Sequence, residues 1–262
     1  VFVGIPKDDK RAFDFHRLLR NGRKNPSLYF PPIKPQSNAL MLFTSGTTGA
    51  PKGVVHTHKS LMENTLSCKK LLCEILGGDG FKNEVFLAVA PYFHIMGLST
   101  MLHLPLFAGS KIVMTFPFSK EEDLGSKLLG AINYAKVSIF VGAPRFYEMM
   151  VESIKKSRKW PLFDFSCLKI CISGSVEMPK GLREGFKKFF GKNILEGYGM
   201  SESGITHCQK KGFFSAGSVG APLPGVEHKI LNPDADGRGE ILARSFGLMS
   251  GYLSGGVVQN KD

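Results

Sequence analysis

From Ala39 onward, short apolar runs alternate with longer amphipathic stretches. The runs Ala39 to Thr44, Val85 to Ala90, Lys111 to Thr115, Val137 to Val141 and Leu168 to Ser173 have strand length and polar or turn-forming flanks, and predict β-strands. Lys59 to Leu76 places Leu61, Leu66, Leu72 and Leu76 near helical spacing, with Gly77-Gly78 as a stop. Glu121 to Ala135 predicts a second helix, opened by a capping box of Ser119 and Glu122, and Arg145 to Lys156 a third. Strands alternating with helices of this length predict an α/β fold, a largely parallel sheet with flanking helices whose nucleotide site lies at the loops beyond the strand ends.

After about Ser215 the texture changes to Gly and Pro turns between short strands, Val226 to Leu231 and Gly239 to Ala243 among them, which predicts a small β-rich subdomain. Asn25 to Ser37 is rich in Pro and polar residues and is expected to be a linker. The expected organisation is an entering segment 1–37, an α/β core 38–214 and a β-rich part 215–262. The most apolar stretch, Val85 to Gly109, approaches membrane-spanning length, but Pro91, His94, His103 and Pro105 would be costly in lipid, so it predicts buried strand, loop and helix and no transmembrane segment.

Composition narrows the partners. With 34 Lys and Arg against 22 Asp and Glu, the 262-residue chain carries +12, a field that attracts anions such as nucleotides or CoA. The basic residues fall in short clusters, Lys155, Lys156, Arg158 and Lys159 or Lys187 and Lys188, that suit solvated helix faces, so nucleic acid is not an expected partner. Five cysteines, Cys68, Cys73, Cys167, Cys171 and Cys208, have no zinc-type spacing and predict reduced thiols in an intracellular, cytoplasmic protein.

The stretch Thr44-Ser45-Gly46-Thr47-Thr48-Gly49-Ala50-Pro51-Lys52-Gly53 packs three glycines, four hydroxyls and one lysine into ten residues. Glycines let backbone N–H groups converge on an anion, hydroxyls add neutral donors and the lysine adds charge, a combination suited to polyphosphate; an ordinary surface turn is the plainer reading. A Walker loop needs Gly directly before the Lys and a hydroxyl after it, and Pro51 and Gly53 stand there instead.

This string is similar to the signature loop of the adenylate-forming superfamily, which includes acyl-CoA synthetases, peptide-synthetase adenylation domains and luciferases. Glu196-Gly197-Tyr198-Gly199-Met200-Ser201-Glu202 resembles the family's GYGMTE motif, with Ser for Thr. The resemblance implies that Thr44, Ser45, Gly46, Thr47, Thr48, Gly49 and Lys52 grip the ATP phosphates, that adenine stacks on Tyr198 within Gly197, Gly199 and Met200, that Ser201 lies near the phosphates, and that Glu202 ligates Mg²⁺. Lys52, Ser201 and Glu202 are then the catalytic candidates. Ser173 to Pro179 stands where the family has SGSAPLP, with Glu177 in place of a proline, and implies that Gly174, Ser175 and Val176 line the nucleotide.

Pro91 to Leu98 resembles the pocket motif of acyl and aryl acid-CoA ligases, which implies that His94, Met96 and Leu98 adjoin the substrate. Gly142, with Val141 to Pro144, Phe146 and Tyr147, fits either the wall of that pocket or ordinary core. No acid falls between Pro91 and Leu98 to pair a substrate ammonium, which favours an acid without an α-amine. The implied reaction joins a fatty or aryl carboxylic acid to CoA through an acyl-adenylate, with ATP, Mg²⁺ and CoA as its small-molecule partners. The resemblance runs from Ala39 to Leu253 and stops before the ribose-binding aspartate and the lysine-bearing C-terminal domain. A weakly active or inactive fragment is therefore expected, with a non-catalytic remnant or interaction module as the alternative.

Overall fold

The computed structural model describes residues 32–44, 51–78, 81–115, 123–157, 163–210, 215–254 and 257–259. The chain clusters into two units, 1–34 and 35–262; only Pro32 to Lys34 of the first are described, and the described strands and helices all belong to the second. Ser45 to Gly49, Ser119, Glu122, Arg158, Lys159 and the first part of the expected linker lie outside the described residues.

A seven-stranded sheet runs in the order β4-β3-β5-β6-β7-β8-β9, formed by β3 (Val85–Ala88), β4 (Lys111–Met114), β5 (Ile139–Gly142), β6 (Ile170–Ser173), β7 (Leu195–Met200), β8 (Gly204–Cys208) and β9 (Ala221–Pro222). From β4 to β7 every pairing is parallel; β8 and β9 are antiparallel. β3 and β5 are buried along their whole length, as central parallel strands covered on both faces must be. This is the α/β architecture that the alternating pattern predicts, with antiparallel strands added at one edge.

Helix α1 (His58–Leu76) begins in a capping box in which Thr57 and Ser60 exchange side-chain to backbone bonds, and it ends on Gly77 in the left-handed conformation. The apolar stretch after β3 folds into two short helices, α2 (Ile95–Leu98) and α3 (Leu104–Ala108), joined by a π-helical segment Ser99–His103. Helices α4 (Leu124–Ala135), α5 (Pro144–Lys156) and α6 (Lys180–Phe190) follow, α5 packing on both of the others. The cap of α4 departs from expectation: the helix starts at Leu124, where the Asp123 carboxylate accepts from Ser126 N and from Ser153 Oγ of α5. Asp123 caps one helix and ties it to the next.

A larger correction concerns Ala39 to Thr44. It is a strand, β1 (Asn38–Thr44), but it pairs antiparallel with β2 (Lys52–Thr57), which pairs in turn with β12 (Gly251–Ser254) and β13 (Val257–Gln259) in a separate four-stranded sheet. Within β1 only Leu42 is fully buried, while Met41 and Phe43 face outward. Such alternation suits a sheet covered on one face. β1 and β2 therefore form an antiparallel pair whose last register is Thr44 opposite Lys52, the two described ends of the hydroxyl-rich stretch. A two-stranded ribbon of β10 (Glu227–Leu231) and β11 (Glu240–Arg244) completes the described strands.

At the centre of the core Tyr147 is fully buried, edge-on to Phe140 at 4.9 Å and Phe186 at 5.1 Å, and its hydroxyl donates to the Ile172 carbonyl at 2.8 Å. It fastens α5 to β6. Tyr147→Phe keeps the ring contacts and should cost about 1 kcal/mol, the net worth of one buried hydrogen bond; Tyr147→Ala should cost about 3–5 kcal/mol through the cavity it leaves. Urea denaturation with an unchanged m-value checks both.

Candidate nucleotide and acid site

β6 and β7 stay in register only through Ile172 opposite Leu195 and Ser173 opposite Glu196. Beyond that point β6 gives way to the loop Gly174 to Pro179, while β7 continues and pairs with β8, with a shift of register between Tyr198 and Gly199. The parting strands open a crevice at the carboxyl ends of the parallel sheet, where open α/β sheets hold ligands. Gly199 is required at the shift, because a Cβ there would stand 2.2 Å from the Gly204 carbonyl oxygen. In the facing loop Ser175 adopts a left-handed φ of 77°, a conformation that costs a non-glycine residue energy.

A buried carboxylate fixes the loop. Glu196 accepts from Met178 N at 3.0 Å and pairs with Arg183 of α6, whose guanidinium also donates to the Ile194 carbonyl. The Glu196 backbone N–H donates to Gln209, and the Gln209 side chain reaches the carbonyls of Ser215 and Ser218. A buried ion pair is tolerated when hydrogen bonds satisfy its remaining polar atoms. Here those bonds join β7, the loop and the approach to β9.

The crevice contains a cavity of about 190 Å³. Gly174, Ser175, Gly197, Tyr198, Gly199, Met200 and Ser201 line it on one side, and His94 and Met96 of the pocket motif on another. His94 is exposed at the start of α2, where its Nδ1 accepts from Met96 N at 3.2 Å. Val141 reaches the cavity, but Gly142 does not: a Cβ on Gly142 would press on the rings of Phe140 and Phe146. Leu98 and Val176 also lie outside the lining, Val176 being largely exposed.

The inner end belongs to residues that no motif marks: Cys68, Leu71 and Leu72 of α1, Thr100 and Leu104, and Ile205 and Cys208 of β8. Burial pushes the thiols of Cys68 and Cys208 up to about 12, so they present neutral, weakly polar surface. Among the described residues no Lys, Arg, Asp or Glu lines the cavity.

Lys52 and Glu202 lie outside this lining, at the side toward the β1–β2 hairpin. Lys52 is exposed, with its Nζ 5.4 Å from the centre of the Tyr252 ring. Glu202 is half-buried, and its Oε1 accepts the Tyr252 hydroxyl at 2.8 Å. Three backbone segments meet beside them. His56 of β2 holds the Ser201 carbonyl through Nε2 at 2.7 Å, Met249 N donates to the Glu202 carbonyl, and Ser250 donates to Val55 through both N and Oγ. His56 and Tyr252 are site residues that sequence reasoning missed. The only local signal for His56 was its place after the β-branched pair Val54-Val55, a few residues beyond the glycine-rich loop.

Among the described residues no three His, Cys, Asp or Glu side chains gather as a metal site. Glu202 alone offers one carboxylate with Oε1 already engaged. That suits Mg²⁺, which keeps several waters and is commonly held by one or two carboxylates together with substrate phosphates.

The family described as AMP-binding enzyme matches residues 7–253. The chain is 31% identical over 238 residues to a long-chain-fatty-acid–CoA ligase of Bacillus subtilis, covering 87% of this chain and 40% of that protein. It is also 31% identical over 236 residues to a malonate–CoA ligase of Arabidopsis thaliana, covering 82% and 36%. The chain thus spans well under half the length of these curated relatives. Its fold is like that of ATP-bound MatB from Rhodopseudomonas palustris, with a TM-score of 0.73, 23% identity, and 89% of this chain and 45% of that one covered.

The His56 contact has a pH signature. Burial is the main reason its pKa lies below the ordinary 6.5, and the Ser201 carbonyl and the Glu202 charge offset this only in part. Unfolding then takes up a proton, so stability is full above pH about 6.5 and falls as pH drops from there toward the folded-state pKa. Between about pH 7.5 and 5.5 the wild-type melting temperature should fall more than that of His56→Gln. His103 and His207, shifted the same way by burial, contribute equally to both proteins. Equal slopes would contradict the assignment.

Proposed function

This chain belongs to the AMP-binding enzyme family, and on that premise we propose that it forms the nucleotide- and acid-binding part of an AMP-forming acid–CoA ligase for apolar carboxylic acids. The observation that carries the reading is one cavity that runs from the Tyr198 to Ser201 wall to an apolar end lined by Leu71, Leu72 and Leu104.

In this reading adenine stacks on Tyr198, between the Gly174-Ser175 backbone and β7. The acid enters past His94 and Met96 with its tail toward Leu71, Leu72 and Leu104. Its carboxylate is already ionised at neutral pH and needs no general base; it attacks the α-phosphate, pyrophosphate leaves, and an acyl-adenylate remains. The CoA thiol then displaces AMP from the acyl carbon. The work of the protein is positioning and charge neutralisation. Thr44 and Ser45 to Gly49 hold the phosphates with Lys52, while Glu202 supplies the carboxylate for Mg²⁺. Held there, the ion would offset negative charge on the phosphate oxygens.

The inner end also selects. The second carboxylate of a malonate-like acid would be buried among Leu71, Leu72, Leu104 and neutral thiols without a cation, which is expensive. Fatty and aryl tails incur no such cost and gain from apolar burial.

A panel of non-hydrolysable acyl-adenylate mimics tests this by thermal denaturation. Mimics with a medium-chain or aryl group should raise the melting temperature by several degrees, since ligand at a hundred times Kd adds about 2.7 kcal/mol. Malonyl or succinyl mimics should raise it far less, and Tyr198→Ala should lose the response to all. A dicarboxylate mimic that stabilises best, or no response to any mimic, contradicts the proposal.

A further inference from the structure

Lys52 and Glu202 carry opposite charges at the same edge of the site, yet among the described residues the ion pairs include neither. Tyr252 touches both. β12 lies antiparallel to β2 with Tyr252 opposite Val54 and Leu253 opposite Gly53, so its register sets the Tyr252 side chain at the base of the glycine-rich loop. From there the hydroxyl donates to Glu202 Oε1 at 2.8 Å and the ring lies beneath Lys52 Nζ at 5.4 Å. Met249, three residues earlier, binds the Glu202 backbone carbonyl, so this segment grips the glutamate through main chain and side chain together.

The two contacts differ in kind. A hydrogen bond to one carboxylate oxygen orients the group and leaves the other oxygen for a cation. A cation–π contact holds an ammonium electrostatically and consumes none of its three N–H donors. A direct Lys52 to Glu202 pair would instead turn each charge on the other and away from an incoming polyphosphate.

We propose that Tyr252 is a positioning residue of the phosphate side of the site, its hydroxyl aiming Glu202 and its ring seating Lys52 so that both face the polyphosphate of ATP and its metal ion. The inference rests on the nucleotide-binding reading of the neighbouring cavity. Burial, reinforced by Glu202, raises the phenol above its ordinary pKa, so the hydroxyl remains a donor throughout the neutral range.

The test measures binding by the purified 262-residue chain of two probes, ATP with and without Mg²⁺ and an acyl-adenylate mimic, which lacks the outer phosphates. Tyr252→Phe removes the hydroxyl and keeps the ring; Tyr252→Leu removes both. In Tyr252→Phe the gain in ATP affinity conferred by Mg²⁺ should shrink by about tenfold, the scale of a hydrogen bond to a charged group, with affinity for the mimic unchanged. Tyr252→Leu should in addition weaken ATP binding without Mg²⁺ by a few-fold. Wild-type affinity of Tyr252→Phe for ATP with Mg²⁺ overturns the proposal. So does an equal loss for ATP and mimic, which marks a merely structural role. A wild-type chain that binds neither probe overturns the underlying nucleotide-binding reading, and the proposal with it.

Discussion

The geometry of the site depends on one junction of backbone hydrogen bonds, where β2, the turn after β7 and the approach to β12 meet. Ser250 closes on the Val55 carbonyl with two bonds, Met249 N reaches the Glu202 carbonyl, and His56 holds the Ser201 carbonyl. These groups come from three distant stretches of chain, and the polar atoms involved are buried or half-buried, so leaving any one unmet is costly. The junction fastens a four-stranded antiparallel sheet to the carboxyl end of the parallel strands of the seven-stranded one. It thereby brings Lys52, the last paired residue of the β1–β2 hairpin, to the Tyr252 and Glu202 side of the crevice.

Around that junction the protein divides its tasks between sheets. The parallel strands and α1 shape a cavity with no Lys, Arg, Asp or Glu among its described lining residues, and the buried Arg183–Glu196 pair fixes the loop that forms one of its walls. The antiparallel hairpin supplies Lys52, and β12 supplies Tyr252, which holds Glu202 of the turn after β7. Charge is kept at the solvent side and apolar surface at the inner end. In the proposed reading, an acid with a polar head and an apolar tail enters with its tail toward that inner end.

The strands of the parallel sheet were legible because VFLA, IFVG and ICIS are short, apolar on both faces and spaced by helical segments. β1 was legible as a strand and misassigned to that sheet, since its sheet includes β12, some two hundred residues away along the chain, and no local pattern reveals a pairing at that distance. The unbroken apolar run Leu40 to Phe43 gave no sign that Met41 and Phe43 face outward. α6 escaped notice because Lys180, Lys187 and Lys188 mask an apolar stripe of Leu182, Phe186 and Phe190. In the site, the stretches dense in Gly, Ser and Thr announced themselves. The Cys68, Leu71 and Leu72 wall did not, because a helical stripe reads the same whether it faces core or cavity. His56 and Tyr252 act through partners remote in sequence, so single-residue reading had nothing with which to pair them.

The most direct test of this account is hydrogen exchange of the chain with and without a saturating acyl-adenylate mimic. A shared junction means that ligand against Tyr198 and Ser201 should slow exchange in three separated segments together, around Val54 to His56, Tyr198 to Glu202 and Met249 to Tyr252. Protection confined to Tyr198 to Glu202, with the other two segments unchanged, would show that the two sheets are not coupled through this junction and would contradict the account.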